Sequence, residues 1–336
     1  MSIQTLAHSL GLSTSTVSRA LNGYHDVSAK TRSRIEHAAK AMNYRPHPVA
    51  HRLATGRTGA VALVSSVRAG NYLDATFAAL QAGVAEVMRA QGYFALTVGL
   101  PMGDGEIPEL ERFLAGHLVD GIILARTRTD DPRVRLLQSH GLPFVTHGRT
   151  QANTPHAWVD TDNAQALYLT TQRMLALGHR RVALVNGLPQ LTYAVLREQG
   201  FRRAMEAAGV SVDDGLVCHG DVTAAEGERL VANLLALPQA PTAIVCATDA
   251  QALGAMAACK AHGLRVGVDV SVSGYGNTEA AAYSDPPLAT VDHAIVGNGR
   301  QLADLLLRRM AGEAVESLTR LEPVHMIDRA SVGRCL

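Results

Sequence analysis

The sequence predicts an α/β protein with a small all-helical head and a larger body of parallel strands and helices. Three observations lead there. Up to Thr58, three short stretches repeat apolar residues at helical spacing behind serine caps. From Gly59 on, strand-like apolar runs alternate with helical stretches of about 10–15 residues, the pattern of βαβ units. The charge is also divided. Of 31 basic and 30 acidic residues, eight and two lie before Gly59, leaving a head of +6 on a body of −5. A basic head on a mildly acidic body implies that only the head meets a polyanion. With 336 residues, 47 % of them apolar, the chain can bury a sizeable core and form more than one domain.

In the head, Ser2 is placed to cap a helix whose inward residues are Ile3, Leu6, Ala7 and Leu10, and Gly11 ends it in the left-handed conformation. Ser13 caps a second helix, Thr14–Asn22, with Val17, Ala20 and Leu21 inward. Ser28 caps a third, with Ile35, Ala38, Ala39 and Met42 inward. Three short helices, the first two joined by a four-residue turn, form the helix-turn-helix pattern. The second helix turns Thr14, Ser15, Ser18, Arg19 and Asn22 outward. Short hydroxyls allow a close approach to a major groove, and the planar Arg19 fork suits a guanine edge, a contact worth ~1–3 kcal/mol of discrimination.

The pieces GLSTSTVSRALNG, VSAKTR, NYRP and ATGRTG resemble the opening of the LacI/GalR family of bacterial transcription regulators. The resemblance implies that Thr14, Ser15 and Arg19 face bases, and that Ser13, Thr16, Asn22 and Thr31 lie near phosphates. It also makes Pro46–Gly56 a hinge helix in which Leu53 is the wedge pushed between base steps in the minor groove. Prolines 46 and 48 suit the first turn of such a helix. Two turns are marginal alone, so the hinge orders only when packed. His47 and His51, four apart, lack a third metal ligand and read as solvated or phosphate-facing.

Strand candidates in the body are AVALVSS, FALTVGL, DGIILAR, PFVTHG, RVALVNG, TAIVCAT, VSVSGY and PLATVD, with helices at Ala75–Gln91 and Gln165–Leu177 among those between. Ligands of such sheets sit beyond the carboxyl ends of the strands. There Arg126 and Arg128 follow DGIILA, and His147 and Arg149 follow PFVT, groups suited to hydroxyl or carboxylate recognition. Arg128 also fits a surface charge. The resemblance continues through VDTDNAQAL, LGHRRVALVNG, REQGFRRAMEAAG and PTAIVCATDAQALGAM, and so covers essentially the whole chain. It implies two lobes of periplasmic-binding-protein type crossed three times by the chain. The domains are then 1–45 (helix-turn-helix), 46–57 (hinge), 58–158 with 289–316 (first lobe) and 159–288 with 317–336 (second lobe).

For the effector the resemblance points to Phe77 as a stacking aromatic, to Arg197 as the principal contact, and to Asp162 and Asp249. Tyr193 shares a side with Arg197 if REQGF is helical. Phe77 also fits a core position, and Asp249 a cap on the following helix. Where sugar- and purine-binding members carry an aspartate after GY, this chain reads GYGNTE. Gly276 replaces the acid and opens room for a bulkier ligand, leaving Asn277 or a bridging water to substitute. The segments ARTRTDDPRVRLL, PFVTHGRT and AWVDTDN resemble the branch regulating α-glucoside use.

Other classes lack support. There is no GxSxG elbow, phosphate loop, HExxH or strand-following GxGxxG, so neither enzyme chemistry nor a cofactor is expected. A transport-type solute-binding protein shares the two-lobe body but not the head. The start has no secretory pattern, and no apolar run approaches the ~20 residues of a membrane span. Cys218, Cys246, Cys259 and Cys335 form no CxxC and fit buried thiols in a reducing cytoplasm. The expected partners are double-stranded operator DNA with pseudopalindromic symmetry, a small sugar effector and a second copy of the chain. Without leucine heptads after Pro323, a dimer is expected.

Overall fold

The computed structural model describes residues 2–22, 24–44, 56–67, 75–151 and 155–335. Most of the expected hinge, including Leu53, His47 and His51, lies outside the described residues. The chain divides into a unit of Met1–Ala60 with His117–Asp120 and a unit of Val61–Gly116 with Gly121–Leu336.

The first unit holds α1 (Ile3–Leu10), α2 (Thr14–Leu21) and α3 (Ala29–Ala41). Each begins as the sequence predicts. Ser2, Ser13 and Ser28 accept hydrogen bonds from the backbone N–H of Thr5, Thr16 and Thr31, satisfying donors that a helix start leaves open. Gly11, at φ 62°, ends α1. Leu6, Ala7, Val17, Ala20, Ile35 and Ala39 form a small core, with Ile3, Leu10, Leu21, Ala38 and Met42 against it.

The second unit is two α/β layers. Its first part runs β1 (Ala60–Val67), α4 (Ala75–Ala90), β2 (Phe94–Pro101), α5 (Glu106–Ala115), β3 (Gly121–Leu124), α6 (Pro132–His140), β4 (Phe144–His147) and β5 (Ala157–Thr161). The chain then enters a second lobe through α7 (Asn163–Ala176), β6 (Val182–Asn186), α8 (Thr192–Ala207), β7 (Val217–His219), α9 (Ala224–Leu235), β8 (Ala243–Cys246), α10 (Asp249–Ala261), β9 (Ser271–Ser273) and α11 (Glu279–Ala282). The closing elements are β10 (Thr290–Asp292), α12 (Ile295–Met310), β11 (Thr319–Glu322) and β12 (His325–Ile327).

Strand order is β11-β5-β4-β3-β1-β2 in one sheet and β7-β6-β8-β9 in the other, with β10 and β12 paired separately. Parallel pairing buries both faces, which is why the central strands β1, β3, β6 and β8 are apolar almost throughout and lie wholly buried. In the first lobe Leu63, Ile123 and Val145 pack under Leu80 and Val84 of α4 and Leu302 and Leu306 of α12. These two helices touch closely at Gly83, where a Cβ would stand 2.1 Å from the Val296 carbonyl oxygen.

The pairings move the expected lobe boundaries. Strand β5 extends to Thr161 and β11 pairs with it, so 159–161 and 319–322 belong to the first lobe, not the second. Residues 289–292 belong to the second, because Gly274 and Gly276 donate to Ala289 and Val291 and β10 pairs with β12. The sequence shows where strands lie, while edge pairing, a nonlocal choice, decides their lobe. The chain crosses between lobes three times, after Thr161, Asp292 and Glu322.

Candidate functional site

In the head, Ser13, Thr14, Ser15 and Arg19 are exposed, whereas Thr16, Ser18, Asn22 and Thr31 are half-buried. Several of these hydroxyls first serve the fold. Ser13 Oγ accepts from the Thr16 N–H and shares hydrogen bonds with the Ser15 and Thr16 hydroxyls, both at 2.8 Å. The Thr31 hydroxyl pairs with Ser28 at 2.9 Å, and Asn22 Nδ2 donates to Ser18 Oγ at 3.2 Å. Arg19 is ion-paired with Asp26 and lies over the Tyr24 ring. The result is one exposed helix face of short hydroxyls around one cation, with a basic surround.

Between the lobes lies a partly open cleft of about 1030 Å³, with the open solvent at its mouth included. Of the expected effector residues, Phe77, Arg126, His147, Tyr193, Arg197 and Asp249 line it. Arg197 is buried, held by the start of α8. Its Nε donates to Asn163 Oδ1 at 2.8 Å, its Nη1 donates to the Ala247 carbonyl, and its guanidinium lies 3.6 Å and 4.7 Å from the Tyr275 and Tyr193 ring centres. A cation held between two aromatic faces at fixed geometry is a pre-set donor for ligand oxygens.

Two expected residues are elsewhere, and two others act differently from expectation. Asp162 does not line the cleft. Its carboxylate accepts from the Gln165 N–H and caps α7. Asn277 also stands outside the lining, because Arg329 donates to its Oδ1 at 2.7 Å and its Nδ2 donates to Asp292 at 3.3 Å, so it does not stand in for the missing aspartate. Asp249 lines the cleft but does not cap α10. Thr248 does that, while Asp249 accepts from Thr278 N at 2.7 Å, Thr278 Oγ1 at 3.0 Å and the Thr290 hydroxyl. A Cβ at Gly276 would lie 3.4 Å from Asp249 Oδ2, an ordinary contact distance, on a backbone at φ 134° that suits glycine. Arg128 pairs with Glu106, and Arg149 faces Asp160 at 3.1 Å.

Sequence reasoning missed Asp160, Asn163, Tyr275, Thr278 and His293, all lining the cleft. Asp160 is 4 % exposed. Its Oδ1 accepts from Thr161 N and Asn163 Nδ2 at 2.9 and 3.1 Å. Burial pushes its carboxyl up to about 6, against the pull of Arg149 and Arg197. Burial, then the positive surroundings of Arg197 and His147, push His293 down to about 3, and its ring packs 4.6 Å from Tyr275. The spacings Asp162-x-x-Gln165 and Thr248-x-x-Gln251 match the capping-box pattern and would have separated caps from ligand-facing acids.

One lip of the cleft is buttressed by buried ions. Arg133 is fully buried; its Nε and Nη2 donate to Asp131 at 2.9 and 2.6 Å, its Nη1 to Ser66 Oγ at 2.6 Å and its Nη2 to the Arg126 carbonyl at 2.9 Å. Glu106 joins Ser66 and Arg128 to the same network. From this lip the main chain reaches the other lobe. Arg128 and Leu191 form an antiparallel bridge, flanked by Thr192 N donating to Thr127 O at 2.9 Å and Thr129 N to Gln190 O at 3.3 Å.

Comparison with known proteins places this geometry. A family model described as "Bacterial regulatory proteins, lacI family" matches residues 2–47, and one described as "Periplasmic binding protein-like domain" matches residues 171–332. The HTH-type transcriptional regulator AglR of Rhizobium meliloti (strain 1021) is 35 % identical over 99 % of this chain and 94 % of its own. The HTH-type transcriptional regulator CelR of Thermobifida fusca is 34 % identical over 98 % and 97 %. Among solved structures, a transcriptional regulator CelR–cellobiose complex superposes with TM-score 0.76 at 32 % identity, covering 98 % of this chain and 99 % of that one. A lac repressor dimer bound to operator and the anti-inducer ONPF gives TM-score 0.84 at 27 % identity, with 98 % of each chain covered.

Proposed function

Because the chain belongs to the lacI family of bacterial regulatory proteins, we propose that it represses transcription from an operator gripped as a homodimer, under control of a sugar held between its lobes. The observation that carries the sugar reading is Arg197, a buried cation set between Tyr193 and Tyr275 in a cleft that also presents Phe77, Asp160 and Asn163. Aromatic faces suit the C–H face of a pyranose, and carboxylate, amide and guanidinium groups at fixed positions suit its hydroxyls. A structural neighbour in complex with cellobiose supports a disaccharide. The sequence segments noted above favour a glucoside, with α-glucosides first.

In the head, Thr14, Ser15 and Arg19 meet base edges, and Ser13, Thr16, Ser18, Asn22 and Thr31 position the helix on phosphates. Leu53 wedges the minor groove. The effector draws the lobes together, separates the paired hinges and releases Leu53. Coupling of this kind is typically ~1–3 kcal/mol, and by linkage operator weakens effector equally.

The test is thermal stability across mono- and disaccharides, sugar phosphates and purines. A ligand at about 100 times its Kd adds about 2.7 kcal/mol, a shift of several degrees. A hit among glucosides that also weakens operator binding supports the reading. A shift with purines or sugar phosphates alone would replace the ligand class, and equal effector affinity with and without DNA would remove the mechanism.

A further inference from the structure

One carboxylate fastens the chain where the expected hinge segment ends and β1 begins. Asp120 stands just before β3, 62 residues from Thr58. Its Oδ1 accepts from the Thr58 N–H at 2.7 Å and from the Thr58 hydroxyl at 2.9 Å, and its Oδ2 accepts from the Gly59 N–H at 2.9 Å. Its own N–H donates to the Ala60 carbonyl at 2.8 Å. Gly59, at φ 70°, lets two successive N–H groups converge on one anion, a backbone cradle. Gly56 and Arg57 are exposed, and burial begins at Thr58. From this point β1 and β3 pair in parallel from Val61–Gly121 to Val64–Leu124, and β3 leads straight into Ala125 and Arg126 of the cleft lining.

We propose that Asp120 is a positioning residue for operator recognition, which makes the hinge segment leave the body from one fixed point at the base of β3. Without the carboxylate, Thr58 and Gly59 join the loose connection and lengthen its reach by about 7 Å. Fixing the backbone of a single residue costs about five- to thirtyfold in an equilibrium. Binding that seats Leu53 in the minor groove must order these residues again. Binding through phosphates alone asks nothing of them. The clamp is made within the chain, stands before DNA arrives and is kept on it, so it favours the wedged complex over the non-specific one rather than scaling both. The inference rests on the DNA-binding and hinge reading above.

The test uses the full chain as wild type, D120A and D120N, each also in an L53A background. Wild-type protein first selects its preferred duplex from a random library. Affinities are then read by fluorescence anisotropy on that duplex and on a scrambled copy. D120A is expected to weaken the selected duplex about tenfold and the scrambled copy less than about twofold. D120N keeps the oxygen that serves Thr58 but turns an amide N–H toward Gly59, so its loss should be intermediate, about threefold. In the L53A background neither substitution should change either duplex by more than about twofold, because Asp120 acts through the wedge. The same loss with and without Leu53, or an equal loss on both duplexes, would overturn the proposal, since it would report a structural role only. D120N is nearly isosteric and carries the comparison if circular dichroism shows D120A to be unfolded. Failure to select any duplex, or an L53A protein that binds as wild type does, would instead refute the DNA-binding or hinge reading, and this inference with it.

Discussion

Asp160 pays for its place at the cleft floor with stability, and D160N measures how much. Buried at 4 % exposure, its carboxyl is raised from the usual 3.8 to about 6. At about 1.4 kcal/mol per pH unit this is about 3 kcal/mol in favour of the protonated folded state. A folded pKa above the unfolded one contributes stability that is fully present below 3.8 and lost as pH rises through about 6. At pH 8 wild type has lost that stabilisation, and D160N, which stays neutral, should be more stable by about 3 kcal/mol; by pH 5 the advantage should fall to about half. Urea unfolding of both proteins at pH 8, 7, 6 and 5 reads this directly. His293 stays neutral down to about 3 when folded but takes up its proton near 6.5 when unfolded, so it lowers the stability of both proteins alike as pH falls below about 6.5 and cancels in their difference. Ligand hydroxyls donating to the ionised carboxylate would lower its pKa, so sugar affinity in wild type should weaken as pH falls below 6 and stay flat in D160N. An unchanged or lower stability for D160N at pH 8 would refute the reasoning, because it would mean that Arg149 and the neighbouring donors already compensate the buried charge.

Asp131→Asn should cost about 3–5 kcal/mol in urea unfolding, since it leaves the wholly buried Arg133 without its main counter-charge; a loss under about 1 kcal/mol would mean that Glu106 and Ser66 suffice. Burial alone would raise the Asp131 carboxyl, but the Arg133 fork and the N–H groups of Arg128 and Arg133 hold it below the usual range. Gly254→Ala should destabilise by about 1–3 kcal/mol, because its Cβ would stand 1.9 Å from the Ala224 carbonyl where α9 and α10 cross; a neutral result would show that the pair separates easily. Leu53→Ala should weaken operator binding far more than non-specific binding and reduce the operator's bend; an unchanged bend would remove the wedge assignment.

The head was legible almost residue by residue because its signals are local. Each serine cap lies three residues before the N–H it satisfies, and the inward residues follow one period. In the body, strands β1, β3, β6 and β8 announce themselves as largely apolar runs, whereas β11, reading TRLE, is mostly polar, and the lobe of β10 and β11 depends on partners far along the chain. The cleft was half legible for the same reason. Arg197 and Tyr193 stand four apart on one helix, so local spacing puts them together. Asn277 is withdrawn by Arg329, 52 residues away, which no local pattern shows. Asp160 and Asp162 differ by two positions, and only the end of β5 at Thr161 decides that one faces the cleft and the other caps a helix.

The bridge joining Arg128 to Leu191 is made of peptide groups alone, with Thr127, Thr129, Gln190 and Thr192 contributing carbonyls and N–H groups rather than side chains. This bridge and the ligand-facing groups around Arg197 are thus written in separate chemistries. Side chains around Arg197 can be exchanged one at a time to suit a new ligand while the backbone bridge, blind to side-chain identity, stays as it is. A scaffold so divided can change what it senses over generations without losing this seam.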